Sequence, residues 1–384
     1  MKKIVLAIEN FSRYAGGAES YGVELATTLV ENGWEVHFYG EKWDGEPKEA
    51  VFHEISVPRF LPSWAKILFF ALKHKKMVQG KDFDVVLGFG NTIYMNVYQS
   101  HGGVHKYSTA RKVYSENFAI GRFIKRLIIP LSLKYWVRHW IESAPFRLRP
   151  EPNIIAISDM ISDDIEKHFG LSRDRIEIIY NGVDTSKYNT GFRGRLRGPL
   201  REKMGIQDDD VVFLFVSYDL KKKGIEPLVE ASSLLKDSHG KCFKVVILGG
   251  EPYPSLLKKV RMLGVESNII FAGRSRSIEE YYANSDVLVL PTYYDACSLV
   301  VIEAMASGLP SITTIYNGAS GIINDGKDGF VISHPPKAEE LAEKMKLLLN
   351  YEKREKMSVN AQNTGGKYTT EWNHREMLRI FDKA

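Results

Sequence analysis

The chain has 384 residues, long for a single core, so about two domains are expected. Its 44% hydrophobic and 26% charged residues are those of a globular chain and exclude a disordered or fibrous one, while a net charge of +5 is a modest excess whose placement matters more than its size. Two cysteines, Cys242 and Cys297, exclude a disulfide framework or a cysteine-rich metal site and fit a reducing cytosol, and no apolar run approaches the roughly 20 residues that cross a bilayer.

Residues 3–8 form a continuous apolar run, as a strand covered on both faces should. After Met1-Lys2-Lys3 this run superficially suggests a signal peptide, but Glu9 cuts it short, so the Asn10-Phe11-Ser12 sequon is discounted. Ala15-Gly16-Gly17-Ala18-Glu19 follows, then a helical period through Tyr21, Leu25, Leu29 and Val30 closed by Gly33, then a strand at 34–39. Strand, glycine turn, helix, strand opens a doubly wound parallel sheet, with the glycines admitting a ligand close to the backbone. The spacing is not G-x-G-x-x-G, and Gly88-Phe89-Gly90 is followed by Ile93 where a third glycine is required. A nicotinamide dehydrogenase is therefore disfavoured.

Further strands are predicted at 51–57, 83–88, 96–99, 154–157 and 176–179. The strand near Gln99 runs into Ser100-His101-Gly102-Gly103, which sets a histidine where α/β folds bind ligands. Asn181-Gly182-Val183-Asp184 reads as a turn, and residues 190–200, rich in Gly and Arg, read as a linker. The second half restarts the pattern, with strands predicted at 211–216, 243–248, 268–271, 286–290, 311–314 and 330–332 and helices between them. The expected architecture is two doubly wound α/β domains facing across a cleft. They are expected over 1–190 and 191–365, with a terminal helix over 366–384 that packs back on the first.

Residues 292–310 concentrate the chemistry. A strand ends at Pro291, a loop carries Asp295, and a short helix that is apolar nearly all round carries Glu303 before Gly308 and Pro310. A carboxylate in such a helix needs a polar partner, and the backbone N–H groups of Ala296 to Leu299 suit an anion. Lys221-Lys222-Lys223-Gly224 follows the strand at 211–216, so these lysines and Asp295 are expected on one sheet edge, where cations can neutralise a departing diphosphate.

The first half also carries a basic, aromatic stretch. Trp64, Ile67, Leu68, Ala71 and Leu72 form an apolar stripe that ends in Lys73, His74, Lys75 and Lys76. Arg111, Lys112, Arg122, Lys125, Arg126, Lys134, Arg138 and Arg147 are then interleaved with Phe118, Phe123, Tyr135, Trp136 and Trp140, against Glu116 and Glu142 as acids. Such helices suit an anionic membrane surface, with Arg111, Lys112, Arg122, Lys125 and Arg126 facing it; ordinary core helices with solvated faces are the alternative. Without an RNA-binding motif, no nucleic-acid partner is expected.

Together, Gly16-Gly17-Ala18-Glu19, His101-Gly102, Asn181-Gly182-Val183-Asp184, Lys223-Gly224 and the pair Asp295 and Glu303 before Gly308-Leu309-Pro310 resemble the glycogen-synthase-like retaining glycosyltransferases. This is the large family 4 group with the GT-B fold, and the resemblance covers nearly the whole chain. Within it, Trp43-Asp44-Gly45, Val86-Leu87-Gly88-Phe89, the segment 218–224 and Tyr294-Asp295-Ala296 are most similar to members that add glucose to the inner-core heptose of lipopolysaccharide.

The resemblance implies a UDP-sugar donor, a lipid-linked glycan acceptor, transfer with retention, no metal or other cofactor, and a cytoplasmic place on the inner face of the cell membrane. It assigns catalytic roles to His101, Asp295 and Lys223. Gly16, Gly17, Lys222, Lys223, Arg274, Glu303 and the backbone of Ala296, Cys297, Ser298 and Leu299 would bind the donor. His101 would meet the sugar near its 6-hydroxyl, Lys222 and Lys223 the diphosphate, Glu303 the ribose and the segment 273–276 the base. This sequence departs from the family at Tyr218, where an arginine is usual, with Lys222 as the substitute, and at Asp295, where glutamate is usual. Retention by front-face displacement or through a covalent intermediate on a carboxylate such as Asp295 both stay open. A UDP-sugar epimerase of the same fold and a non-catalytic nucleotide-sugar or anionic-lipid binder are the rival readings.

Overall fold

The computed structural model describes residues 1–12, 17–116, 118–192, 196–239 and 243–384. Gly16 and Cys242 lie outside the described residues. The chain divides into two units, one formed by Met1–Tyr180 with Asn373–Ala384 and the other by Asn181–Trp372.

The first unit is built on a seven-stranded sheet. Its strands are β1 (Lys3–Ala7), β3 (Glu35–Gly40), β5 (Val51–Glu54), β6 (Val85–Gly88), β7 (Val97–Ser100), β8 (Asn153–Ala156) and β9 (Ile176–Ile178), in the order β5-β3-β1-β6-β7-β8-β9. Every pairing is parallel, and β1 is central, with Ile4 opposite both Val36 and Val85. Ile4, Val5 and Leu6 are fully buried, which is why this strand reads as an unbroken apolar run. A small parallel pair, β2 (Asn10–Phe11) with β4 (Lys42–Trp43), forms a separate two-stranded sheet. Two-residue strands are too short for periodicity to reveal, and they were not expected.

The helix Thr370–Phe381 completes this unit. Asn373 accepts from the Tyr21 hydroxyl (3.1 Å) and donates to the Tyr180 carbonyl (2.7 Å), while Thr28 Oγ1 and His374 Nδ1 are 2.7 Å apart. Met377 and Phe381 are buried. Holding this helix therefore takes buried polar contacts as well as an apolar face.

The second unit contains β10 (Val211–Ser217), β11 (Phe243–Gly249), β12 (Ile269–Gly273), β13 (Val287–Leu290), β14 (Ser311–Thr314) and β15 (Gly329–Ile332), in the order β12-β11-β10-β13-β14-β15. The order reverses between β10 and β13, and in such sheets ligands bind outside the carboxyl ends of the strands at the reversal. The loops after β10 and β13 carry the lysine run and Asp295.

The boundary expected at 190/191 lies instead at 180/181, and the return expected at 366 lies at Asn373. The reason is local. Val183 pairs with Thr369, with Val183 N–H donating to the Tyr368 carbonyl and Thr370 N–H to the Val183 carbonyl (both 3.0 Å), so the 181–184 turn belongs to the second unit. Gly182 is required there, because a Cβ would stand 2.4 Å from the Thr369 carbonyl oxygen.

Candidate functional site

In the second unit, the loop after β10 turns through Gly224, whose φ is +83° and whose position would put a Cβ 2.0 Å from the Pro291 carbonyl oxygen. Only glycine combines that conformation with that approach. It lets the lysine loop lie against the end of β13, where Tyr293 N–H donates to the Lys222 carbonyl (3.1 Å) and Thr292 Oγ1 reaches the same oxygen. Lys223 Nζ then forms an ion pair with Asp295 Oδ2, which also accepts from Ser298 Oγ (2.5 Å). Both partners of the ion pair are largely but not wholly buried, with side chains 24% and 21% exposed, so a ligand can still reach them.

Asp295 is held by its backbone as well. Its N–H donates to the Tyr316 carbonyl (2.9 Å) and its carbonyl accepts from Gly318 N–H (2.8 Å). Between them, buried Asn317 accepts from the N–H groups of Ser298 (3.3 Å) and Ala319 (3.2 Å) and donates to Thr313 Oγ1 (3.0 Å). The Ser298 amide, expected to be open to an anion, is thus already engaged. Asn317 is a positioning residue that the sequence reading missed; an Asn-Gly dipeptide just after a buried strand was the available signal.

Helix Leu299–Ala306 buries Val301, Ile302, Ala304 and Met305 and packs on helix Tyr351–Gly365. Leu309 N–H closes its end on the Ala304 carbonyl (2.8 Å), with Gly308 in the left-handed conformation. Glu303 leaves this helix partly exposed, and its Oε2 accepts from the hydroxyl of fully buried Tyr282 at 2.7 Å. Burial first, and then the Glu303 charge, pushes the Tyr282 phenol well above its ordinary range, so it remains a donor. Tyr282 was absent from the sequence-based site because the helix that carries it, Ile278–Ala283, holds no motif of its own.

The remaining predicted donor residues divide. Lys222 is paired with Asp219 and half exposed. The Cys297 thiol is buried and pushed up to about 12, so it is neutral, and the residue contributes its carbonyl, which accepts from Asn181 Nδ2 (3.2 Å). Arg274 lies over the ring of exposed Tyr218 at 5.7 Å, so a guanidinium stands beside the position where the family arginine is replaced by tyrosine.

In the first unit, His101 follows β7 and is packed against the rings of Tyr21 (4.9 Å) and Phe89 (5.2 Å). Its Nε2 is buried with no hydrogen-bond partner among the described residues, and burial lowers the imidazole to about 3. The ring is therefore neutral and keeps one nitrogen unused. Gly17 begins helix Gly17–Glu31 and is exposed.

The basic stretch splits into structural and surface parts. Arg111, expected at a membrane, instead makes a bidentate pair with Asp164 (2.5 and 2.7 Å), the two side chains 13% and 3% exposed. Its charge is taken up inside the unit. Helix Leu133–Glu142 is fixed by Val137 and Ile141 packing with Ile67 and Ala71 of helix Ser63–Val78, which assigns part of the predicted apolar stripe to the core. Helix Ala119–Ile128 buries none of its residues and exposes Phe123, Ile124, Leu127 and Ile128. Arg122 and Arg126 lie over the Tyr114 ring, and Lys125 pairs with Glu116. Among the described residues no helix is long and apolar enough to cross a membrane, and no group of side chains is arranged to hold a metal ion.

Two Rossmann-like parallel sheets, the second with a lysine and carboxylate site at its strand reversal, define a GT-B glycosyltransferase. Residues 15–187 match the family Glycosyltransferase Family 4 and residues 197–364 match Glycosyl transferases group 1, so between them most of the chain is accounted for and the chain belongs to these glycosyltransferases. Among curated proteins it is 25% identical over 337 residues to the lipopolysaccharide glucosyltransferase WaaG of Escherichia coli (strain K12), covering 87% of this chain and 86% of that one. A crystal structure of WaaG superposes with a TM-score of 0.79 at 22% identity, covering 98% of this chain and 99% of that one. Anabaena HepE in complex with UDP-glucose superposes with a TM-score of 0.68 at 16% identity, covering 100% of each chain, a likeness of fold.

Proposed function

We propose that the chain is a retaining hexosyltransferase. It moves a sugar, glucose foremost, from a UDP-sugar to a lipid-linked glycan such as the heptose of lipopolysaccharide core, as a peripheral protein on the inner face of the cell membrane. The observation that carries this reading is the ion pair of Lys223 and Asp295, which lie in the loops after β10 and β13 at the strand reversal. In transfer, the bond from the anomeric carbon to the diphosphate oxygen breaks and an acceptor hydroxyl oxygen bonds to that carbon, its proton leaving with the diphosphate, on whose oxygens negative charge grows as the bond breaks. Lys223 and Lys222 offset that charge, aided by the start of helix Leu299–Ala306, and no metal is required for it.

Glu303, held on one oxygen by Tyr282, accepts hydrogen bonds from the ribose. Arg274 and the 273–276 segment contact the base, and the backbone of Ala296 to Leu299 contacts phosphate and sugar hydroxyls. Asp295 takes the place of the usual glutamate at the transferred sugar; with a shorter side chain already engaged by Lys223 and Ser298, it exchanges one partner for the donor when the donor binds. The unused nitrogen of His101 is available to a sugar hydroxyl. Support comes also from relatives whose names specify glucosyl transfer to lipopolysaccharide and a UDP-glucose complex.

The exposed apolar helix Ala119–Ile128, with Arg122, Lys125 and Arg126, supports attachment to an anionic membrane, while Lys112 is partly buried and Arg111 is taken up by Asp164. The reading is tested by measuring UDP affinity and UDP-glucose turnover in Glu303→Ala and Lys223→Ala. Much weaker UDP binding in the first and lowered turnover in the second are expected; near-unaltered hydrolysis and transfer in both would refute it.

A further inference from the structure

The basic stretch contains a concave site that the transferase reading does not use. Helix His105–Lys112, the turn Ile129–Leu131 and helix Leu133–Glu142 line an open pocket of about 180 Å³. Its walls carry two cations, Lys134 and Arg138, the hydroxyls of Thr109, Ser132 and Tyr135, and the imidazole of His105, and no lining residue is acidic. Unlike Arg111 and Lys125, which are paired with Asp164 and Glu116, neither Lys134 nor Arg138 is within ion-pair distance of a carboxylate among the described residues. Arg138 Nε is buried and has no hydrogen-bond partner there.

The carboxyl nearest in charge to this site is Glu142, and it does not neutralise the cations. One of its oxygens accepts from the His105 N–H (2.7 Å), and burial pushes the group up to about 8, so at neutral pH it is largely uncharged. His105 in turn is lowered to about 4, first by burial and then by the positive field of Arg138, Lys112, His139 and Lys134. A pocket with two unmatched cations, three hydroxyl donors and a silenced carboxyl favours an anion that offers several strong acceptor oxygens.

We propose that this pocket binds a phosphate ester, with Arg138 and Lys134 on its oxygens and the hydroxyls of Thr109, Ser132 and Tyr135 completing the shell. The chemistry is shared by a phosphorylated soluble glycan and by the headgroup of a membrane lipid. The exposed helix Ala119–Ile128 runs through the turn Ile129–Leu131 into the pocket wall, so an interfacial source is within reach.

The test uses the full chain with isotope-labelled histidine, titrated with glycerol 3-phosphate, and in a second arm with phosphatidylcholine vesicles containing phosphatidic acid. A saturable shift of the His105 resonances is expected, with affinity reduced about tenfold or more when Lys134 and Arg138 are both replaced by alanine, the size of one charge-assisted hydrogen bond. Thr109→Trp fills the pocket without changing its charge and should block the same shift, which separates site loss from general weakening of electrostatics. UDP affinity should be unchanged in all variants, so failure here is distinguishable from failure of the transferase reading. If Thr109→Trp lowers binding to phosphatidic acid vesicles several-fold, the pocket takes a lipid headgroup; if it abolishes only the glycerol 3-phosphate shift, it takes a soluble ester. No saturable shift in either arm, or a shift that persists in both variants, overturns the proposal.

Discussion

The Tyr282 hydroxyl donates to Glu303 Oε2 at 2.7 Å from a ring that is fully buried, linking helix Ile278–Ala283 to helix Leu299–Ala306. The phenol fixes one oxygen of the carboxylate. On the proposed reading Tyr282 is a positioning residue that acts on the donor through Glu303. Tyr282→Phe keeps the ring and its packing and removes one hydrogen bond to a charged group, typically about 1.5–3 kcal/mol. UDP affinity, measured by calorimetry, should fall about tenfold or more, and the unfolding temperature should fall as well, because the same bond is present without a ligand. Glu303→Ala should cost more in affinity than Tyr282→Phe, and the double variant should be no worse than Glu303→Ala alone, because the two residues act as a unit.

Lys223 and Asp295 predict a split between binding and turnover. Lys223→Ala removes the cation that faces developing charge, so turnover should fall about 10²- to 10³-fold, as for loss of a comparable transition-state donor. Asp295→Asn keeps the shape and the contact with Ser298 but removes the charge opposite Lys223. It should leave UDP affinity equal or tighter while lowering turnover of UDP-glucose. Steady-state kinetics with UDP and UDP-glucose separate the two effects.

Gly224→Ala should destabilise the second unit. A Cβ there meets the Pro291 carbonyl oxygen at 2.0 Å with φ at +83°, so the loop must move or carry strain of order 1–3 kcal/mol or more. A lower unfolding temperature together with weaker UDP binding is expected, since the same loop carries Lys222 and Lys223. An unchanged transition would show that the loop relaxes freely.

Acid stability should report buried neutral histidines. His74 is fully buried, neither ring nitrogen has a hydrogen-bond partner among the described residues, and burial lowers it from 6.5 to about 4. The unfolded chain binds a proton there that the folded chain does not, so the stability it contributes is present above pH 6.5 and is lost as pH falls towards about 4. Replacing it in His74→Phe should flatten the decline of melting temperature between pH 6.5 and 4.5. The limiting slope removed is about 1.4 kcal/mol per pH unit.

Membrane attachment can be tested apart from the chemistry. Glu in place of Arg122, Lys125 and Arg126 should abolish binding to anionic vesicles, where each cation near the surface contributes about 1 kcal/mol, and should leave UDP affinity intact. Sedimentation with vesicles measures this, and unchanged binding would refute the role of helix Ala119–Ile128.

Much of the fold was legible because strands buried on both faces must be apolar throughout. Each of the predicted strands, from 3–8 to 330–332, has a counterpart in the two sheets. The boundary was misplaced because the linker-like composition of 190–200 is a local signal, whereas the division is set by Val183 pairing with Thr369, far away in sequence. The same limit applies at the site. Lys223 and Asp295 could be predicted on one edge from their strands, but Tyr282 and Asn317 support Glu303 and Ser298 through tertiary contacts that no local pattern announces. Arg111 failed in the opposite sense: a charge on a basic stretch reads as surface until Asp164 is found beside it.

The central claim is tested most directly by incubating the protein with a panel of UDP-sugars and a heptose-bearing core acceptor, with the products read by mass and by the anomeric signals of the transferred sugar. The account predicts one hexose added to the acceptor, from UDP-glucose in preference to the other donors, in the same anomeric configuration as in the donor. A product that remains attached to UDP, or tight UDP binding with no transfer from any donor, would contradict it.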